Sequence, residues 1–245
     1  MYFNADHGAN KRLICFPFEG GSSHFFRDWS KVLGEYVEVA AIELPGRGRR
    51  ISERLYYKLP GVIHEILPSM LPLLDKPFYF FGHGLGALIA FEMTAVLRKS
   101  FLPEPDHLFV SSISSPQVKK EVTYNLSKDK FLNKLKEMNK IPSEVLKDRD
   151  LVDLMYPILK ADFSVSETYS YKAGFKIDCP ITAFGGLSDI NISLDEIQAW
   201  AEVTNSSFEL NLLPGGHFFI IKSEGMFLKV LQEKLSLKKE GVNPL

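Results

Sequence analysis

Cysteine is scarce in this chain. Its 245 residues hold two, Cys15 and Cys179, too few for a disulfide framework and suited to a reducing compartment. An excess of one charge is missing as well. Lys and Arg number 29 against 30 Asp and Glu, a net charge of −1, which excludes charge-driven nucleic-acid binding. No run approaches the ~18 consecutive apolar residues of a membrane span. The opening residues 1–7 lack the basic and then apolar pattern of a signal peptide, so a cytoplasmic protein is expected. No internal repeat, low-complexity tract or metal-ligand spacing of Cys and His is visible, and no metal site is expected. What remains is 45% hydrophobic and 12% aromatic, enough for one α/β domain with a large core or two small ones at most.

Short apolar runs alternate with longer amphipathic ones, as in strands and helices wound into a parallel sheet. Strands are expected at Arg12–Phe16, Val37–Leu44, Pro77–Phe81, His107–Ser112, Pro180–Phe184 and Phe208–Leu213. Helices are expected at Phe25–Leu33, Val62–Leu74, Leu85–Arg98, Leu194–Val203 and Glu224–Leu237, the second kinked or stopped early by Pro68 and Pro72. From 116 to 172 no strand-like run occurs, but three helical patterns do: Lys128–Met138, Ser143–Lys147 and Asp150–Leu159. An all-helical insert in an alternating fold packs most simply over the carboxyl ends of the strands, where such folds bind ligands. It reads as a lid, with an ordinary structural excursion as the alternative.

The segment Phe81-Gly82-His83-Gly84-Leu85-Gly86 follows the strongest strand and opens the central helix. Strand, tight turn and helix are the context of a nucleophile elbow, G-x-S-x-G, except that the central residue is Gly84 and carries no hydroxyl. A dinucleotide fingerprint does not fit, because the x-x spacer before a third glycine is absent. Two later turns supply partners in the order an α/β-hydrolase needs. Asp189 follows the fifth strand in Gly185-Gly186-Leu187-Ser188-Asp189 as the acid, and His217 follows the sixth in Pro214-Gly215-Gly216-His217 as the base. The loop after the first strand, Pro17-Phe18-Glu19-Gly20-Gly21-Ser22, is placed to give one oxyanion-hole N–H, with Leu85 giving the other. The same loop is also an ordinary Gly-rich turn. Cys15, Ser22, Ser111, Ser112, Ser114 and Ser115 lie near strand ends, but none occupies the elbow.

With these motifs the chain, from about Lys11 to about Leu235, resembles the type II thioesterases of non-ribosomal peptide and polyketide synthesis. The further carriers are Leu44-Pro45-Gly46-Arg47-Gly48, Ala161-Asp162-Phe163 with Glu167-Thr168-Tyr169, Cys179-Pro180-Ile181 and Pro214-Gly215-Gly216-His217-Phe218-Phe219. The resemblance implies an α/β-hydrolase fold: a mostly parallel central sheet flanked by helices, one domain over 1–245 with a helical lid at 116–172. It implies hydrolysis of acyl groups from the phosphopantetheine arm of an acyl or peptidyl carrier protein, by a monomer with no cofactor of its own. Residue by residue it assigns Asp189 as acid, His217 as base and the amides of Leu85 and Glu19 as oxyanion donors. Phe18 and Phe218 fall beside the substrate. The family's nucleophile, Ser or occasionally Cys, falls on Gly84, and Glu19 puts a carboxylate beside the oxyanion hole.

Covalent acyl transfer through residue 84 is therefore excluded, and three expectations remain. His217 and Asp189 activate water for hydrolysis; or the pocket runs altered acyl-carrier chemistry with His217 and Glu19 as acid–base groups; or the protein is an inactive carrier-binding scaffold or an inactivated thioesterase. Arg47, Arg49 and Arg50 form a basic cluster that suits an acidic carrier or a solvated surface.

Overall fold

The structure, a computed structural model, describes residues 9–141, 145 and 147–239. Six strands form one sheet: β1 (Arg12–Phe16), β2 (Glu38–Ala41), β3 (Phe78–His83), β4 (His107–Ser111), β5 (Ile181–Gly186) and β6 (Phe208–Leu213). Their order is β2-β1-β3-β4-β5-β6, and every pairing is parallel. The continuous apolar runs resolve into two faces, since successive strand side chains point opposite ways. Ile14, Phe16, Phe78 and Phe80 pack on one face under α2 (Leu59–Met70) and α3 (Leu85–Lys99). Leu13, Cys15, Tyr79 and Phe81 pack on the other with Trp29 of α1 (Trp29–Leu33) and Phe227 of the carboxyl-terminal helix.

The strand order reverses between β1 and β3, so the carboxyl ends of these two flank the crevice where open α/β sheets bind ligands. The helical segment lies between β4 and β5 and carries α4 (Lys128–Glu137) and α5 (Arg149–Glu167). Phe131, Leu135, Leu159 and Phe163 of these two helices form a small apolar cluster of their own, while Val165 of α5 joins the main core. The part of the expected helix Ser143–Lys147 at 143, 144 and 146 lies outside the described residues. The remaining helices are α6 (Leu194–Gln198), α7 (Phe219–Lys222) and α8 (Glu224–Lys239).

Boundaries differ from the sequence expectations in informative places. β2 is shorter than Val37–Leu44: the Ile42 N–H still bonds the Cys15 carbonyl, and the chain then leaves the ladder ahead of Pro45. The expected helix at Phe25–Leu33 breaks into a 3₁₀ turn, Ser23–Phe26, and α1. α2 begins earlier, with Pro60 in its first turn where no N–H is needed, and carries Pro68 inside before tightening into a 3₁₀ turn that holds Pro72. α5 runs eight residues past Leu159 and through Pro157, held at its start by Asp148, which accepts from the N–H groups of Asp150 and Leu151. Among the described residues no helix is long and apolar enough to cross a membrane.

Candidate active site

The elbow is built as its spacing predicts. Gly84 joins β3 to α3 with φ +53° and ψ −126°, a conformation costly for any residue with a side chain. Its flanking glycines are demanded by contact. A Cβ on Gly82 would lie 2.2 Å from the backbone of Gly86, and one on Gly86 would lie 2.1 Å from the carbonyl oxygen of Phe16. The backbones of β1, β3 and α3 thus touch at the crevice, which puts the first-strand loop directly over residue 84.

Asp189 and His217 meet although 28 residues separate them. His217 Nδ1 lies 3.0 Å from Asp189 Oδ2, with side-chain exposures of 5% and 2%. The N–H and side-chain amide of Asn191 both donate to Asp189 Oδ1. Burial alone would raise the Asp189 carboxyl, but the hydrogen bond and charge of His217, with the Asn191 donors, hold it below the usual carboxylate value. Ser112 Oγ donates to the carbonyl of His217 at 3.0 Å, tying the histidine turn to the end of β4. Beneath lies a ring cluster: Phe18 packs edge-on to His83 and Phe218, and Phe218 edge-on to His217. His83 is fully buried with Nδ1 2.9 Å from Ser111 Oγ, and burial, then the nearby His217, push its pKa well down.

Leu85 and Glu19 also come together, but through the Glu19 side chain. Glu19 Oε2 accepts from the Leu85 N–H at 3.1 Å. A Cβ built on Gly84 would stand 2.4 Å from that oxygen. The carboxylate therefore fills the volume that a side chain at residue 84 would need. The turn carrying it is closed by Gly21 N–H to the carbonyl of Phe18 at 2.8 Å.

A buried ion pair that sequence reasoning missed supports this loop. Arg47 grips Asp162 of α5 through both guanidinium nitrogens, at 2.6 and 2.7 Å, and Asp162 also accepts from the Gly20 N–H at 2.8 Å. Arg47 is 5% exposed, so it leaves the basic surface cluster expected with Arg49 and Arg50. The signal was present in Pro45-Gly46-Arg47-Gly48 and Ala161-Asp162-Phe163, but nothing in the spacing links two segments 115 residues apart.

Gly84, Glu19, His217, Asn191, Phe163 and Lys120 line one cavity of about 160 Å³ under the helical segment. Loss of hydration brings the Lys120 ammonium down to about 8, against the pull of the Glu19 carboxylate. A larger apolar cavity of about 670 Å³ lies between α2, α3 and residues 168–175, away from His217. No cluster of metal-ligating side chains occurs among the described residues. The site can hold an anion at Leu85, move a proton at His217 and exclude bulk water with rings.

A parallel sheet of this order, an elbow after β3 and a carboxylate-oriented histidine after the last strand define an α/β-hydrolase. Comparison with known proteins narrows the class. The family described as thioesterase domain matches residues 11–235, and the chain belongs to that family of hydrolases. The gramicidin S biosynthesis protein GrsT of Aneurinibacillus migulanus is 36% identical over 236 residues, covering 96% of this chain and 92% of that protein. The solved structure of RedJ, a thioesterase from the prodiginine pathway of Streptomyces coelicolor, superposes with a TM-score of 0.87 at 32% identity, covering 93% and 92% of the two chains. BorB, the type II thioesterase of the borrelidin biosynthetic cluster, gives a TM-score of 0.83 at 27% identity over 96% and 95%. The chain is thus close to the type II thioesterases of non-ribosomal peptide and polyketide pathways.

Proposed function

We propose that this protein hydrolyses acyl thioesters borne on the phosphopantetheine arm of carrier proteins, with Gly84 standing at the position of the family's nucleophile. The observation that carries the reading is the buried Asp189–His217 pair beside Gly84 in a thioesterase scaffold. With Nδ1 turned to Asp189, the hydrogen-bond pattern assigns the proton of neutral His217 to Nδ1 and leaves Nε2 as the base. Nε2 takes a proton from water, the hydroxide attacks the acyl carbonyl, and the Leu85 N–H, given up by Glu19 Oε2, steadies the oxyanion at the start of α3. The thiol leaves with a proton returned by His217. Side chains, backbone N–H groups and water suffice, and the pantetheine arm enters as substrate. The helical segment over the cavity acts as the lid, its rings and those of Phe18 and Phe218 facing the acyl group.

Thiol release from acyl-pantetheine and from acyl-carrier protein tests the reading. Hydrolysis is expected with both, and His217→Ala should lower it by about 10²–10⁴-fold, the usual contribution of a general base. Full activity in His217→Ala would place the chemistry elsewhere.

A further inference from the structure

The geometry points to Glu19 as the acyl-accepting nucleophile of this site, its carboxylate supplying from the first-strand loop the oxygen that residue 84 lacks. This inference rests on the thioester-hydrolase reading above and replaces its direct attack by water with attack of water on an acyl-Glu19 intermediate. Three observations carry it. Glu19 Oε2 stands 2.4 Å from where the Cβ of residue 84 would be, inside the volume of the missing side chain. The absence of a side chain at Gly84 and the presence of a carboxylate at Glu19 are therefore one steric fact, since a side chain there would displace the carboxylate. Next, the oxygen is fixed, held at 3.1 Å by the Leu85 N–H at the amino end of the 15-residue α3, where an anion is favoured. Finally, it faces the same cavity as His217, the proton carrier, and Lys120, a cation.

The chemistry balances with water as the one co-reactant. A Glu19 carboxylate oxygen attacks the thioester carbonyl carbon and a C–O bond forms. As it does so, the Leu85 N–H passes from the carboxylate to the substrate's carbonyl oxygen. The C–S bond then breaks, and the sulfur leaves as a thiolate. An acyl anhydride remains on Glu19. Neutral His217 removes a proton from water, the hydroxide attacks the acyl carbon, and the anhydride C–O bond breaks. Glu19 returns as carboxylate, the acid departs, and His217 passes the proton to the thiolate and is neutral again. One thioester and one water give one thiol and one acid.

The test compares the wild-type chain with Glu19→Gln and Glu19→Ala on acyl-pantetheine, with folding checked by circular dichroism and urea unfolding. Glu19→Gln keeps the shape of the side chain without its charge. Both variants are expected to stay folded and to lose about 10²-fold or more in kcat, as for a group engaged in bond making. Borohydride added during wild-type turnover should convert Glu19 to the corresponding alcohol, read by peptide mass. Activity in Glu19→Ala equal to or above wild type would overturn the proposal and make the carboxylate a plug on the Leu85 N–H. Loss of activity in both variants with no reduction at Glu19 during wild-type turnover would overturn the covalent step. A wild-type chain that hydrolyses no thioester would instead sink the functional reading itself, and the nucleophile with it.

Discussion

Placing a methyl group on residue 84 probes the site without adding chemistry. In Gly84→Ala the Cβ meets two penalties. The backbone stays at φ +53°, ψ −126°, which costs a residue with a side chain about 1–3 kcal/mol. The Cβ also arrives 2.4 Å from Glu19 Oε2 and must push the carboxylate off the Leu85 N–H. Glu19 is half-buried and water can take over its acceptor, so losing that bond costs about 1 kcal/mol, the ordinary net value of a hydrogen bond. The sum is about 2–4 kcal/mol. Urea unfolding reads it as a lower midpoint at unchanged slope. A second substitution separates the penalties. Glu19→Ala alone should cost about 1 kcal/mol, but close to nothing once Gly84→Ala has displaced the carboxylate, a coupling of about 1 kcal/mol. If the two changes simply add, or Gly84→Ala lies within about 0.5 kcal/mol of wild type, Glu19 and residue 84 do not share one volume.

Two further outcomes follow from buried charge. Arg47→Met leaves Asp162, 4% exposed, without its cation and should destabilise by about 3–5 kcal/mol in urea; Arg47→Met with Asp162→Leu should recover most of it, and no recovery would discount the pair. Burial lowers the folded pKa of His83, so the unfolded chain binds its proton first, from about pH 6.5 downward. Its contribution is complete above that value and lost as pH falls through the lower folded one. His83→Gln should flatten this part of the stability profile, and parallel wild-type and variant profiles would contradict the assignment.

The sheet was legible because β1, β3, β4 and β5 bury both faces, and Phe78-Tyr79-Phe80-Phe81 needs no periodicity to be read. The elbow, Asp189 and His217 were legible because turn glycines and chain order are local signals. α5 was legible only as far as Leu159, since Asp162 interrupts the apolar pattern beyond it and what carries the helix on is tertiary: Arg47 gripping Asp162 and Val165 in the core. For the same reason Arg47 reads as surface until its partner is known. At Glu19 the resemblance named the backbone amide as the group at the site, and the structure sets the carboxylate on the Leu85 N–H. That choice depends on the side-chain volume missing at Gly84, a relation between two loops that no spacing records.

The helical segment is fastened at both ends of the crevice. Asp162 of α5 binds Arg47 and the Gly20 N–H, while the Asn191 side chain donates to the carbonyl of Met138 at 2.6 Å. Gly20 adjoins Glu19, and Asn191 holds Asp189. The segment therefore cannot swing like a free flap. Lifting it would break a buried ion pair and pull on the loops that carry Glu19 and Asp189, so the three parts are coupled. A shift of the segment is therefore felt on both sides of the crevice at once, next to Glu19 through Gly20 and at Asp189 through Asn191.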